Sequence, residues 1–372
     1  MFLLNELIFL SPLIIYMGFR IRQLIAKKSF KNIFAVFFVL LVLAFPVAET
    51  LSHSSGRGWA KYVMLAGYIS LPFLLYLGLV VILSDLLIGV GRLLKFISKD
   101  TIRSPRFRTV QVGVLLIIPV VIVILGAWNF HYLRVKEYSV EVPRKSSTIR
   151  QLKIAFAADF HLGELTAANF MERFVAKVNG LNPDIVLIGG DILEGDRRDE
   201  ETNKFEAQFR RIRSKYGVYA VPGNHEMHGE NRSDFLAQAG IKFLQDAVEK
   251  IDAAFYLAGR NDGHSRNRKP IEELLRNTPD DLPVILLDHR PTDLDRVSRT
   301  VVDIQLSGHT HHGQLFPINL ITKRVYELSW GYLKKRQTHF FVTSGVQLWG
   351  PPIRTAGASE ILVINVVFRE KS

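Results

Sequence analysis

The sequence predicts an α/β layered domain preceded by an all-α membrane region of about four transmembrane helices. Nearly all of the long uncharged runs lie in residues 1–130, whereas the chain after residue 150 has the composition of a soluble domain. In that second part, short β-rich runs alternate with amphipathic stretches, which is typical of helices packed on a sheet. We therefore expect a membrane domain at residues 1–130 and a second domain at residues 131–372.

Four segments reach or approach the roughly 20 apolar residues that a helix needs to cross a bilayer core. The first contains Glu6 and Pro12, and the fourth, VQVGVLLIIPVVIVILGAW, carries no charge. The segments are residues 2–19, 33–51, 62–88 and 109–130. No basic residue precedes the first segment and no small-residue cleavage site follows it, so we expect it to remain in the mature protein.

The loops between these segments differ in their content of basic residues, and basic loops stay on the cytoplasmic side. The loop between the second and third segments holds only Arg57 and Lys61. The loops after the first and third segments are more basic, with Arg20, Arg22, Lys27, Lys28 and Lys31 in one and Arg92, Lys95, Lys99, Arg103, Arg106 and Arg108 in the other. We therefore expect a multi-pass protein of the cell membrane whose second domain is extracytoplasmic.

The amino-acid composition limits which functional sites and binding partners the protein can have. The chain has no cysteine, so thiolate sites and thiol nucleophiles are excluded, and any metal must be held by His, Asp, Glu or Asn. The formal net charge is +12, and much of the excess lies in loops beside the hydrophobic segments. Contact with anionic headgroups accounts for such loops, so we predict no nucleic-acid partner and infer no protein partner.

Five predicted strands of the second half end in polar clusters. The strands are predicted at residues 154–158, 184–188, 218–221, 255–257, 284–287, 304–306, 340–343 and 360–367, with helices at 167–179, 204–215 and 270–276. In open α/β sheets the functional site lies at the carboxyl ends of the strands. The clusters after these strands should therefore converge.

The residue types in the clusters suit a metal site. The clusters are Asp159-Phe160-His161, Gly189-Gly190-Asp191, Gly223-Asn224-His225-Glu226, Asp288-His289 and Gly308-His309-Thr310-His311. A one-residue gap in an extended chain puts two side chains on one face, as in Asp159-x-His161 and His309-x-His311. Two such pairs and one central carboxylate match the needs of two metal ions if Asp191 bridges them. The glycines are expected where the backbone turns sharply close to the ions.

This motif string resembles that of the calcineurin-like metallophosphoesterase superfamily, which is Asp-x-His, Gly-Asp, Gly-Asn-His-Asp/Glu, His and Gly-His-x-His. The resemblance covers about residues 135–370. The stretches ILLDHRPTDLD, LSGHTHHGQLFPINLITK and TSGVQLWGPPIR are similar to the membrane-associated bacterial branch and to transmembrane metallophosphoesterase-domain proteins. The implied fold is two mixed β-sheets sandwiched and flanked by helices. The Asp-Arg-Gly continuation of serine/threonine protein phosphatases is missing after Asp191, which disfavours that activity.

The resemblance also implies roles for single residues. One metal would be held by Asp159, His161, Asp191 and His311, and the second by Asp191, Asn224, His289 and His309. His225 matches the position that contacts the phosphate and protonates the leaving group. Arg290 and Arg354 adjoin predicted site loops and are candidates for binding phosphate oxygens, with a structural role as the alternative. The expected cofactors are two divalent ions, with Mn, Fe or Zn as candidates for a site without cysteine.

We therefore expect a dinuclear metal-dependent phosphoesterase that uses direct attack of a metal-activated water on a phosphate ester. The substrate is expected to be a phosphodiester or a membrane-proximal ester, with a lipid as a candidate, because only about 20 residues separate Trp128 from the first catalytic strand. One alternative is a cytoplasm-facing pyrophosphatase of nucleotide-linked lipids such as UDP-diacylglucosamine, which the loop charges disfavour. Another is a catalytically silent membrane scaffold, which a missing ligand would have favoured, and none is missing.

Overall fold

The chain forms two compact units. The computed structural model describes residues 2–52, 58–194, 200–226 and 232–370, and leaves the side chains of residues 2–10, 52, 200, 201 and 232–234 undescribed. The first unit runs to Trp128 and also contains Gly350–Thr355. The second unit contains Asn129–Trp349 and the chain from Ala356 onward. One short segment from far along the sequence therefore belongs with the N-terminal helices.

The first unit is helical. Its helices are α1 (Phe2–Leu24), α2 (Lys28–Ser52), α3 (Gly58–Leu93), α4 (Lys99–Arg103) and α5 (Pro105–His131), the last of which continues into the second unit. Among the described residues, three helices are long and apolar enough to cross a membrane, namely α2, α3 and α5. That is one fewer than the four predicted spans. Helix α1 is the difference, since its first nine residues, which include Glu6, lie where side chains are not described.

Close packing joins these helices. Their shared apolar core consists of Met17, Ile21, Phe38, Leu77, Val81 and Leu115. Gly67 of α3 lies against α2, where a Cβ atom would come within 2.3 Å of the carbonyl oxygen of Ala44. Small residues allow this backbone approach between helices in a membrane. Arg20 of α1 donates to the carboxylate of Asp85 on α3, with 2.6 Å between Nε and Oδ2.

The segment Gly350–Thr355 packs on α3 and α5. The backbone N–H of Arg354 donates to the carbonyl of Gly126 at 3.0 Å. A Cβ atom on Gly126 would lie 2.7 Å from Ile353 and 2.8 Å from Thr355, so only glycine leaves room for the segment. The Thr355 hydroxyl is hydrogen-bonded to the hydroxyl of Tyr76. The segment is thus held by backbone, hydroxyl and apolar contacts.

The second unit contains two six-stranded mixed sheets. The first has the order β1-β12-β2-β3-β4-β5 and the second β10-β11-β9-β8-β7-β6. The strands of the first sheet are β1 (Arg134–Pro143), β2 (Gln151–Ala157), β3 (Ile185–Ile188), β4 (Val218–Ala220), β5 (Lys242–Phe243) and β12 (Glu360–Arg369). Those of the second are β6 (Ala247–Ile251), β7 (Phe255–Gly259), β8 (Val284–Leu287), β9 (Ile304–Ser307), β10 (Gly331–Lys335) and β11 (Thr338–Val342).

Side chains that alternate in direction along the strands, together with the helices, form three apolar layers. Ile154 and Phe156 of β2 point into a core shared with the second sheet, where they meet residues such as Leu287 and Leu306. Ala155 and Ala157 point to the opposite face, because successive side chains of a strand alternate. Helices cover the two outer faces: α6 (Phe170–Gly180), α7 (Glu200–Phe209) and α8 (Arg232–Gln238) on the first sheet, and α9 (Ile271–Leu274) and α10 (Leu294–Val297) on the second.

The predicted fold of two mixed sheets flanked by helices is confirmed, and all eight predicted strands are present. Four strands are additional, namely β1, β5, β6 and β10. Helix α7 ends at Phe209 rather than at residue 215, because Arg211 and Ile212 donate to the carbonyls of Gln208 and Phe209 and turn the chain. Helices α8 and α10 and a further helix, α11 (Ile318–Val325), were not predicted.

Removing the Phe156 ring should destabilise the sandwich. The side chain is fully buried between the sheets and touches Gly189 at the end of β3. We expect Phe156→Ala to lower the free energy of opening of β2 and β3 by about 3–5 kcal/mol, measured by hydrogen exchange on the full chain in detergent. Lys334→Ala, at an exposed position of β10, should change it by less than about 0.5 kcal/mol. Equal losses in both variants would contradict this packing.

Candidate metal centre

The predicted ligands lie together at the carboxyl ends of five strands. Asp159 and His161 follow β2, Asp191 follows β3, and Asn224 and His225 follow β4. In the second sheet, His289 follows β8, and His309 and His311 follow β9. Because β2, β3 and β4 are parallel neighbours, as are β8 and β9, their ends bring the five clusters to one place.

The side chains form three groups whose ligand atoms lie within 4.8 Å of one another. The groups are Asp159, His161 and His311, then His161, Asp191 and His225, then Asp191, His289 and His309. The Nε2 atoms of His161 and His311 are 3.2 Å apart. Asp191 Oδ2 lies 3.2 Å from His289 Nε2 and 3.8 Å from His161 Nε2. Asp191 therefore joins the ligands from the first sheet to those from the second.

Left-handed backbone turns aim these side chains inward. Five of the predicted ligands have positive φ angles although none is glycine: Asp159 (58°), His161 (43°), Asp191 (52°), His309 (70°) and His311 (47°). Non-glycine residues rarely adopt this conformation, and it persists only where the surroundings enforce it. In this way β2, β3 and β9 end, and the predicted ligands that follow them turn towards the centre.

Three glycines allow the loops to approach one another, as the sequence predicted. A Cβ atom on Gly223 would lie 2.1 Å from the Asp191 carboxylate, and one on Gly308 would lie 2.5 Å from that of Asp159. Gly190 has a φ of 91° and packs against the backbone of Gly223. Any side chain at these positions would displace a carboxylate or a neighbouring loop.

The buried Glu226 carboxylate holds the loops after β3 and β4. It accepts hydrogen bonds from the backbone N–H groups of Asp191 at 2.7 Å, Ile192 at 2.8 Å and Gly223 at 2.8 Å. The N–H of His225 in turn donates to Asp191 Oδ1 at 2.9 Å. Such charge-assisted bonds are shorter and stronger than neutral ones. Glu226 therefore fixes the backbone on which the Asp191 carboxylate is carried.

Glu194 is a site residue that the sequence reasoning missed. Its Oε1 is hydrogen-bonded to Nδ1 of His161, and its Oε2 lies 3.2 Å from Nδ1 of His225. The two imidazole rings meet edge to face with centroids 4.8 Å apart. A carboxylate on the outer nitrogen of a ligand histidine fixes the ring and its tautomer. The available signal was its spacing, three residues after Asp191.

Burial and mutual charge shift the pKa values strongly. Burial raises the pKa of Asp159 to about 6. Burial also lowers the pKa of His309 to about 3, helped by the nearby His289 and Arg290. Burial opposes charge on Glu194, but hydrogen bonds from His161 and His225 lower its pKa to about 2. His309 is therefore neutral at ordinary pH, which is the form of imidazole that binds metals.

The two predicted phosphate-binding arginines lie in different surroundings. Arg290 is half-buried, and its Nε donates to Asp262 Oδ2 at 2.9 Å, beside His309. Asp262 is a second residue that the sequence did not indicate. Arg354 is fully buried and belongs to the segment that packs on α3 and α5. The structure thus places Arg290 by the clustered ligands and Arg354 in the helical unit.

The donor set fits divalent cations. The buried Oδ1 of Asn224 and Nε2 of His289 receive no hydrogen bond from any described residue. Nδ1 of His289 is held by the carbonyl of Gly189 at 2.6 Å, which leaves Nε2 directed at Asp191. Imidazole, carboxylate and amide oxygen without thiolate suit Mn, Fe or Zn. This chemistry agrees with the sequence prediction of a metal centre.

Comparison with known proteins agrees with this geometry. A sequence model described as "Calcineurin-like phosphoesterase" matches residues 152–313, a range that includes every clustered residue from Asp159 to His311. An uncharacterized metallophosphoesterase of Helicobacter pylori is 33% identical over 226 residues, or 59% of this chain and 60% of that protein. The match thus spans about three fifths of the Helicobacter protein.

Two further relatives match a larger share of this chain. An uncharacterized metallophosphoesterase of Aquifex aeolicus is 30% identical over 256 residues, which is 66% of this chain and 97% of that protein. A transmembrane protein with metallophosphoesterase domain from Danio rerio is 29% identical over 321 residues, which is 79% of this chain and 72% of that protein. With the ligands at the predicted strand ends and a near full-length match to a metallophosphoesterase, the chain belongs to the calcineurin-like metallophosphoesterase family.

Proposed function

We propose that this membrane protein is a dinuclear metal-dependent phosphoesterase. The position of Asp191 carries the proposal, because its carboxylate belongs to two of the three groups of ligand atoms. Two divalent ions that share a carboxylate can activate a water and clamp the oxygens of an in-line displacement. Membership of the family supports hydrolysis of phosphate esters in general. The position of Asp191 in two groups of ligand atoms supports a site for two ions.

The ligands divide into two sets around Asp191. Asp159, His161 and His311 would hold one ion together with Asp191, since they form the group on one side of it. Asn224, His289 and His309 would complete the other set. The free Asn224 oxygen and the neutral His309 ring suit this role. We propose these seven residues as the metal ligands.

We propose His225 as the general acid. Its Nδ1 faces Glu194 at 3.2 Å, which fixes the ring and leaves Nε2 to donate a proton to the departing oxygen. Its backbone is held by Asp191 Oδ1. The Arg290 guanidinium, fixed through Nε by Asp262, is proposed to bind phosphate oxygens beside His309. Water then displaces the ester oxygen without a covalent phosphoenzyme.

We further propose an extracytoplasmic site that acts on phosphate esters near the membrane. The basic residues before α2 and between α3 and α5 support a cytoplasmic position for both loops. Three spans give the same side for the second unit as four, because removing α1 leaves the later loops in place. Only Tyr132 and Leu133 separate α5 from β1, which supports a site close to the bilayer.

Replacing the shared carboxylate should abolish turnover. Asp191→Asn removes the negative charge of the carboxylate that the two ions would share, and we expect activity on a generic phosphodiester to fall at least about 100-fold while the chain still folds. Asp252→Asn, on the exposed turn between β6 and β7, is the matched control and should keep full activity. Retention of more than about a tenth of the activity by Asp191→Asn, under 1.4 kcal/mol in barrier, would refute the two-ion assignment.

Two histidine variants should separate chemistry from metal binding. His225→Ala should keep most of the bound metal and lose about 100-fold or more in kcat, which is the size of general-acid effects. His289→Ala removes a ligand nitrogen 3.2 Å from Asp191 and should lose metal as well as rate. Metal content by elemental analysis and kcat are measured on both. Equal loss of metal in the two variants would make His225 a ligand.

The orientation can be tested with reporter fusions. A reporter that is active only outside the cytoplasm should work when fused after Ser372, because short loops with five or more cations resist translocation. The same reporter fused after Lys99, in the basic loop, should be silent, while a cytoplasmic fluorescent reporter shows the reverse pattern. Fluorescence at Ser372 with a silent external reporter would overturn the orientation and favour the nucleotide-lipid pyrophosphatase.

A further inference from the structure

Helix α11 is attached to the metal centre at both of its ends. It follows the short 3₁₀ helix His311–Gly313, which begins at the last predicted ligand. A Cβ atom on Gly313 would lie 2.6 Å from the backbone nitrogen of Asn319, so loop and helix are tightly packed. Beyond its other end, the Tyr326 ring lies 6.2 Å from the His309 ring. Whatever binds α11 is therefore held near the ligands.

The apolar face of α11 is exposed. Ile318, Ile321 and Val325 have the i, i+3, i+7 spacing that normally turns one helix face towards a core. Their side chains are instead 38%, 63% and 68% exposed, and Phe316 just before the helix is 52% exposed. None of the eight helix residues is buried. In the described part of the second unit, Ile318, Ile321 and Val325 are therefore left exposed.

The charges on α11 match an anionic membrane surface. Lys323 and Arg324 are exposed in its last turn, and α11 carries no acidic residue. Lys323 lies on the side opposite Ile321, since two residues along a helix correspond to a rotation of about 200°. Basic residues beside an apolar helix face are typical of helices that lie in the interface of a bilayer.

The way the chain connects α11 to the membrane-spanning helices supports a lipid bilayer as the partner of its exposed apolar face. Helix α5 can span a bilayer and is followed after two residues by β1, with exposed aromatic rings at Trp128 and Tyr132. Such rings mark the headgroup level. In the soluble unit, the carbonyl of Gln314, four residues before α11, accepts a hydrogen bond from Ala356 at 3.0 Å. Ala356 directly follows Gly350–Thr355, the segment that packs on α3 and α5.

We propose that α11 is an interfacial helix that inserts Phe316, Ile318, Ile321 and Val325 into the surface of the lipid bilayer. Its apolar face would reach about 5–10 Å into the boundary between headgroups and acyl chains. The adjacent metal centre then meets phosphoesters at headgroup level. This last step, a headgroup phosphoester as substrate, rests on the proposed function, whereas insertion of α11 does not.

Single cysteines provide the test, because the natural chain has none. Ile321→Cys and Lys323→Cys of the full chain are labelled with an environment-sensitive fluorophore and reconstituted in vesicles of phosphatidylcholine and phosphatidylglycerol. We expect blue-shifted emission at position 321 and quenching by doxyl groups on the acyl chains. The matched label at position 323, on the opposite side of the same helix, should emit as in water and be quenched far less.

The emission and the quenching at position 321 decide the proposal. Water-like emission without quenching at position 321 would overturn it. A blue shift at position 321 without doxyl quenching would also overturn it and indicate cover by a second copy or another protein. The same labels in Asp191→Asn chains separate docking from hydrolysis: quenching must persist there although turnover is lost. Failure of docking in chains that still hydrolyse a soluble phosphodiester would reject α11 insertion and leave the phosphoesterase proposal intact.

Discussion

The hydrogen bonds to the buried Glu226 carboxylate are the interaction on which the candidate site depends. They gather the backbone N–H groups of Asp191, Ile192 and Gly223, and so tie the loop after β3 to the loop after β4. Each bond to a charged acceptor contributes roughly 1.5–3 kcal/mol. With the loops joined in this way, Asp191 faces ligands from both sheets, and the apolar sandwich below them serves as the rigid support.

The parts of the fold predicted from sequence are those with a strong local pattern. Strands β2, β3 and β8 are short apolar runs buried on both faces, each followed by ligand residues. Strand β1 was missed because it is partly exposed, and β5 because it has only two residues, which are defined by pairing with β4 rather than by composition. The candidate ligands could be singled out from the sequence because metal chemistry restricts residue type at fixed spacing. Glu194 was missed because its spacing from Asp191 does not by itself show that the fold brings it to His161 and His225.

The position of the segment Gly350–Thr355 could not be predicted from its local sequence. Its sequence, GPPIRT, is neither long nor apolar enough to indicate a membrane-side position, yet it packs on α3 and α5. The residues just before it contact the metal loops instead, since the N–H of Gln347 donates to the carbonyl of Asp159 at 3.0 Å. One loop between β11 and β12 thus contributes to both units, through contacts that depend on tertiary structure and on the missing side chain of Gly126.

The left-handed backbone of Asp159, His161, Asp191, His309 and His311 limits how this centre can diverge. Branched residues such as Val or Ile are excluded there by backbone sterics, and glycine fits the backbone but offers no ligand atom. Asparagine tolerates the conformation and keeps an oxygen donor. The exchange that these positions tolerate most readily is therefore Asp or His for Asn, which would change the candidate ligands while leaving a folded relative rather than an unfolded chain.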